Sequence, residues 1–139
     1  WMLAVKYRKR VWIPLVLVPV LVLLTDQGSN LLKNLVERPR PCHEPVLAGL
    51  VHTVNGYCGG MYGFVSAHAA NTFGIAAFTA PLLRKSWYTW TVIIWAVAVS
   101  YSRIYLGVHY PGDVLGGATL GLAAGAALAW TATKMNKSI

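Results

Sequence analysis

One short stretch of this chain, Ser102-Arg103-Ile104-Tyr105-Leu106-Gly107-Val108-His109-Tyr110-Pro111-Gly112-Asp113, sets an arginine, a histidine and an aspartate between two apolar runs, where a plain connector would need none of them. That placement reads as a reaction site. His109 and Asp113 are four residues apart. Pro111 suits the first position of a helix, which predicts Asp113 in the first turn of that helix and His109 just outside it. An aspartate accepting from one imidazole nitrogen fixes the tautomer and frees the other nitrogen to attack. Arg103, always charged and fork-shaped, suits a phosphoryl group.

Two more stretches complete a pattern: Lys33, six intervening residues and Arg40-Pro41, then Ser66-Ala67-His68. In this order and spacing the three resemble the signature of the type 2 phosphatidic acid phosphatase superfamily, which also includes bacterial acid phosphatases and vanadium haloperoxidases. The resemblance covers residues 33 to 113. The first and third motifs match at every defining position; the second departs, with Val65 and Ala67 where the family usually has Pro and Gly. A backbone amide that the family aims at phosphate is therefore placed differently here, while the serine and the histidine are kept.

The resemblance implies phosphoryl transfer through a phosphohistidine, with no cofactor and no metal. His109, held by Asp113, attacks phosphorus; His68 gives a proton to the leaving oxygen and then activates the water that hydrolyses the intermediate. Lys33, Arg40 and Arg103 surround the equatorial oxygens and Ser66 adds a hydrogen bond. Arg38 is either an extra phosphate contact or a solvated flank of the first motif.

Those residues need elements to carry them. The chain has 139 residues, one domain's worth, and at 56% hydrophobic and 12% charged it is too apolar for an ordinary water-soluble domain of that size. The net charge of +8 suits nucleic acid in principle, but its distribution excludes that reading. Lys6, Arg8, Lys9, Arg10, Arg84, Lys85, Lys134 and Lys137 cluster between or beyond the apolar runs with no acid among them, and Asp26, Glu37, Glu44 and Asp113 sit with Lys33, Arg38, Arg40 and Arg103. This is the positive-inside pattern of a polytopic membrane protein.

The fold expected is all-α, a transmembrane bundle forming one domain over residues 1–139, with four spans at about 11–36, 65–83, 87–105 and 111–133. Members of the family commonly have six spans, so the four read as the C-terminal four of a six-span protein. In the first span Asp26, Asn30, Lys33 and Glu37 recur on one helical face, which aims Lys33 at the site and leaves Asp26 to a neighbouring helix or to function. Asn71, one turn below His68, either orients it or bonds to another helix. Gly117, Gly121 and Gly125 form a small-residue ridge, for packing inside the bundle or for a homodimer face.

Residues 38 to 63 form a connector rich in Pro, Gly and Cys, expected as a lid or vestibule. Cys42 and Cys58 lie on the face opposite the basic clusters, outside the cytoplasm, where a disulfide persists; zinc held with His43 and His52 is the less regular alternative.

Both chain ends then fall on the cytoplasmic side of a bacterial inner membrane and the site on the outer side. The expected partners are the bilayer and a lipid phosphate: undecaprenyl pyrophosphate, whose second phosphate Arg38 would hold, phosphatidylglycerophosphate, phosphatidic acid or lipid A phosphate. Oligomeric state is not legible. A haloperoxidase holding vanadate in the same cradle is disfavoured by the apolar spans. A non-catalytic transporter or lipid-phosphate-binding protein is disfavoured by the presence of both histidines and the aspartate.

Overall fold

The computed structural model describes residues 2–47 and 49–137. Its helices are α1 (Met2–Tyr7), α2 (Trp12–Val36), α3 (Ala67–Leu83), α4 (Ser86–Tyr105) and α5 (Pro111–Lys137), with short 3-10 turns at Arg8–Arg10, Pro41–His43 and Pro45–Leu47. Among the described residues there is no strand, and one isolated bridge pairs Pro39 with Tyr62. The four long helices follow the apolar runs of the sequence; α1 is an addition, a six-residue helix just before the basic turn Arg8–Arg10.

Local chemistry sets the helix ends. In α2, Pro14 falls in the first turn, where its missing N–H would have no partner in any case, and the helix stops at Glu37, whose φ of +49° turns its N–H back to the Lys33 carbonyl at 2.9 Å. Ser66 caps α3, its Oγ accepting the Ala69 N–H at 3.5 Å. At the other end Arg84, φ +54°, returns its N–H to the Ala80 carbonyl. Arg84 and Lys85 alone link α3 to α4, so short a turn that α4 must run back along α3.

α3 is the centre of the bundle and touches α2, α4 and α5. Gly117, Gly121 and Gly125 let α5 lie directly on it: a Cβ at those positions would strike the carbonyl oxygens of Ser66, Ala70 and Gly74. The ridge is thus used within the chain, and the homodimer alternative does not apply. Ile13, Leu21, Phe78, Leu82 and Ala132 fill the core between α2, α3 and α5. A polar cross-link ties α2 to α3, with Asn71 Nδ2 donating to Asp26 Oδ1 at 2.9 Å and Thr25 Oγ1 donating to Asn71 Oδ1. Asn71 therefore bonds to another helix rather than to His68, and Asp26 is its partner.

Large apolar side chains face outward along the bundle: Leu15, Leu23 and Leu31 on α2, Trp90 and Ile94 on α4, Leu115 and Trp130 on α5. Such a surface suits hydrocarbon and not water. By length and composition two helical segments can cross a membrane, Arg8–Val36 and Pro111–Met135. Among the described residues, two of the four expected spans, α2 and α5, meet this measure. α3, with 17 residues, is about 25 Å long and is screened by its neighbours, and α4 is rich in Trp, Tyr, Thr and Ser.

Candidate active site

Backbone hydrogen bonds bring the three motifs to one end of the bundle. The turn after α4 folds back so that the Val108 and His109 N–H groups both donate to the Arg103 carbonyl, at 3.2 and 3.3 Å. Gly107 permits that turn with a φ of +63°. The Ser66 N–H donates to the Asp113 carbonyl at 2.9 Å, and the Gly63 N–H to the Arg38 carbonyl at 2.9 Å. The connector is fastened to the same turn by Cys42 N–H on the Gly107 carbonyl at 3.1 Å, and a Cys42–Cys58 disulfide closes it.

A cavity of about 580 Å³ opens where these pieces meet. Its charged and titratable lining comes from Lys33 at the end of α2, Arg40 in the connector, His68 at the start of α3, Arg103 at the end of α4 and His109 before α5; Asn55 and Tyr57 of the connector, with Val54, Leu106 and Val108, complete the wall. Three cations and two imidazoles line it with no carboxylate among the described lining residues. The cavity is therefore built for an anion. Arg40 is aimed by two carbonyls, its Nε donating to Tyr62 at 3.3 Å and its Nη1 to Cys58 at 3.4 Å. Arg103 Nε donates to Ser102 Oγ at 3.1 Å.

Behind the cavity lies Asp113, fully buried in the first turn of α5. Its Oδ2 accepts the Tyr110 N–H at 2.8 Å, the return arm of a capping box with aspartate in place of glutamate. The same oxygen stands 3.5 Å from His109 Nδ1, which leaves Nε2 for the cavity. Oδ1 forms an ion pair with Arg38. His109 is itself buried. Burial, with the Arg40 and Lys33 charges adding to it, pushes the His109 imidazole down to about 3, so the ring is neutral near pH 7 and its lone pair available.

An anion cavity holding a neutral imidazole beside a buried carboxylate, and a second histidine, can bind a phosphoryl group, offer it a nucleophile and supply a proton. Comparison with known proteins gives the arrangement a family: a sequence model of the PAP2 superfamily matches residues 12–137. The chain belongs to the PAP2 superfamily. It is 46% identical over 108 residues to a lipid A 4'-phosphatase of Bacteroides thetaiotaomicron, covering 76% of this chain and 48% of that protein. It is 46% identical over 107 residues to one of Porphyromonas gingivalis, covering 75% and 44%. To phosphatidylglycerophosphatase B of Bacillus subtilis it is 37% identical over 117 residues, covering 76% and 52%. The chain thus spans about half the length of the curated relatives it matches. No solved structure matches it.

Within this PAP2 chain, Lys33, Arg40, His68, Arg103 and His109 share the cavity, with Asp113 directly behind. Ser66 and Arg38 stand elsewhere. Ser66 is fully buried as the N-cap of α3, under the cavity rather than in its wall. Arg38, expected as an extra phosphate contact or a solvated flank, has its guanidinium paired with Asp113 and lying over the Phe64 and Tyr110 rings. Sequence spacing could not reveal this, because Arg38 and Asp113 are 75 residues apart. Nor did any pattern single out Tyr57 within the connector as cavity wall.

Proposed function

We propose that this membrane protein is a lipid phosphatase working through a phosphohistidine. The observation that carries the reading is the meeting of Lys33, Arg40, His68, Arg103 and His109 around one cavity with Asp113 buried behind His109. His109 Nε2 attacks phosphorus as the bond to the leaving oxygen breaks, and His68 donates a proton to that oxygen. His68 then takes a proton from water, whose oxygen attacks the phosphorus and breaks the P–N bond, releasing phosphate and neutral His109. Lys33, Arg40 and Arg103 balance the charge on the transferring group. Ser66 serves the site by capping the helix that presents His68.

Residues 1–139 act as one unit with four spans, α2 to α5, both ends on the cytoplasmic side and the cavity at the outer face. Support comes from the placement of the basic residues: Arg8–Arg10, Arg84-Lys85 and Lys134 all lie at helix ends remote from the cavity residues. The substrate is a phosphate monoester on a lipid whose head reaches that face. Among lipids, a lipid A phosphate is favoured because the two relatives at 46% identity are lipid A 4'-phosphatases.

Phosphate release by purified protein tests the reading. His109→Ala should abolish turnover while vanadate still binds, and His68→Ala should turn over slowly and accumulate an acid-labile phosphohistidine. Normal turnover by the His109 variant would sink it.

A further inference from the structure

Arg38 sits inside the first motif, yet none of its atoms lines the cavity. Its guanidinium carbon lies 5.0 Å from the Phe64 ring centroid and 5.2 Å from that of Tyr110, a seat between aromatic faces that suits a flat, weakly hydrated cation. One of its terminal nitrogens is paired with Asp113 Oδ1. Gly63 makes room for the assembly, since a Cβ there would stand 3.0 Å from Asp113 Oδ2.

We infer that Arg38 is a positioning residue, a clamp that holds the Asp113 carboxylate by one oxygen so that the other faces His109 Nδ1. The inference rests on His109 being the nucleophile. Asp113 is fully buried, and a buried carboxylate needs a compensating charge. Were it uncompensated, its nearest relief would be to place a proton on His109, and an imidazolium has no lone pair with which to attack. Arg38 takes up that charge, so Asp113 orients the ring without protonating it. The other charged or titratable groups around His109 are Lys33 on α2, Arg40 in the connector, His68 on α3 and Arg103 at the end of α4; the first three each oppose a proton there. A backbone hydrogen bond with Gly63 favours it; Asp113 is the carboxylate that stands beside the ring, and Arg38 is what restrains Asp113.

The experiment is steady-state hydrolysis of one lipid phosphomonoester across the pH range by wild type, Arg38→Gln and Arg38→Lys. Arg38→Gln should lower kcat by on the order of tenfold or more, leave KM within about twofold, and bring an acid limb assignable to His109 upward by about one pH unit or more. Arg38→Lys, which keeps the charge but not the fork, should restore the pH profile and only part of kcat. A raised KM with unchanged kcat would make Arg38 a substrate contact and overturn the clamp, and so would equal losses in both variants with no movement of the pH profile. If Arg38→Gln does not fold, adding Asp113→Asn removes the stranded charge and should recover folded protein; no recovery also overturns the clamp. Should the wild type release phosphate from no lipid, the phosphatase reading fails, but titration of the His109 ring by NMR in wild type and Arg38→Gln still decides the clamp.

Discussion

His109 is where burial, charge and orientation act on a single ring. Its folded-state value of about 3 lies below the ordinary histidine value of about 6.5 expected in the unfolded chain. Between the two the unfolded state holds the extra proton, so the stability associated with this residue is present above the unfolded value and is lost as pH falls through that window. The midpoint of thermal unfolding should therefore drop on acidification across it, and drop less in His109→Gln. An equal drop would mean the ring is not held neutral. The residues that line and back the cavity were largely legible in the sequence, because His109, Asp113, Arg103, His68, Lys33 and Arg40 fall in three spaced motifs. The capping of α3 by Ser66 was not separable in the sequence from a phosphate contact, since a helix N-cap and a phosphate donor call for the same hydroxyl at the same helix end. The Arg38 partnership was not legible at all, because it joins two motifs across the fold.

Among the elements, α5 against α3 determines whether the site forms. Gly121 faces the Ala70 carbonyl and the Gly74 backbone, leaving no space for a side chain. Gly121→Val should destabilise the fold by roughly 1–3 kcal/mol or more and separate Asp113 from Ser66. Gly60→Ala, with nothing within 4 Å of its Cβ, should be neutral for stability; comparable loss of folded protein in both would refute the ridge. Helix extents were readable from the apolar runs and from Pro, Gly and charge at their ends. α1 was not, as its short stretch has no apolar periodicity of its own.

The connector is the other element that shapes the cavity. Its disulfide joins Cys42 to Cys58 across a separation of 16 residues, a loop length worth about 3 kcal/mol by the loop-entropy model. Because the Cys58 carbonyl also aims Arg40, opening the bond should act on the site as well as on stability. Cys42→Ser with Cys58→Ser should raise KM severalfold with a smaller change in kcat, and mass spectrometry of non-reduced wild type should find no free thiol at either position. An unchanged KM in the double variant would show that Arg40 is positioned without the loop's help.

At the scale of the whole molecule, an apolar exterior carries a cationic cavity at one end, and that combination decides what can be a substrate. On the proposed reading, the phosphoryl group reaches Lys33, Arg40 and Arg103 while the rest of the substrate stays in the bilayer. The cation expected to hold a second phosphate, Arg38, is engaged by Asp113. The preference for undecaprenyl pyrophosphate expected from an available Arg38 therefore loses its basis, and lipid monophosphates become the better candidates. Phosphate release from lipid A, phosphatidic acid, undecaprenyl pyrophosphate and a water-soluble phosphomonoester under one detergent condition should rank the two lipid monophosphates first and the soluble ester last. A strong preference for the pyrophosphate would require a second phosphate site and so a different use of Arg38. Hydrolysis of the soluble ester as efficient as that of the lipids would reduce the membrane to a mere support, because the cavity would then be reading phosphate without regard to where the lipid holds it.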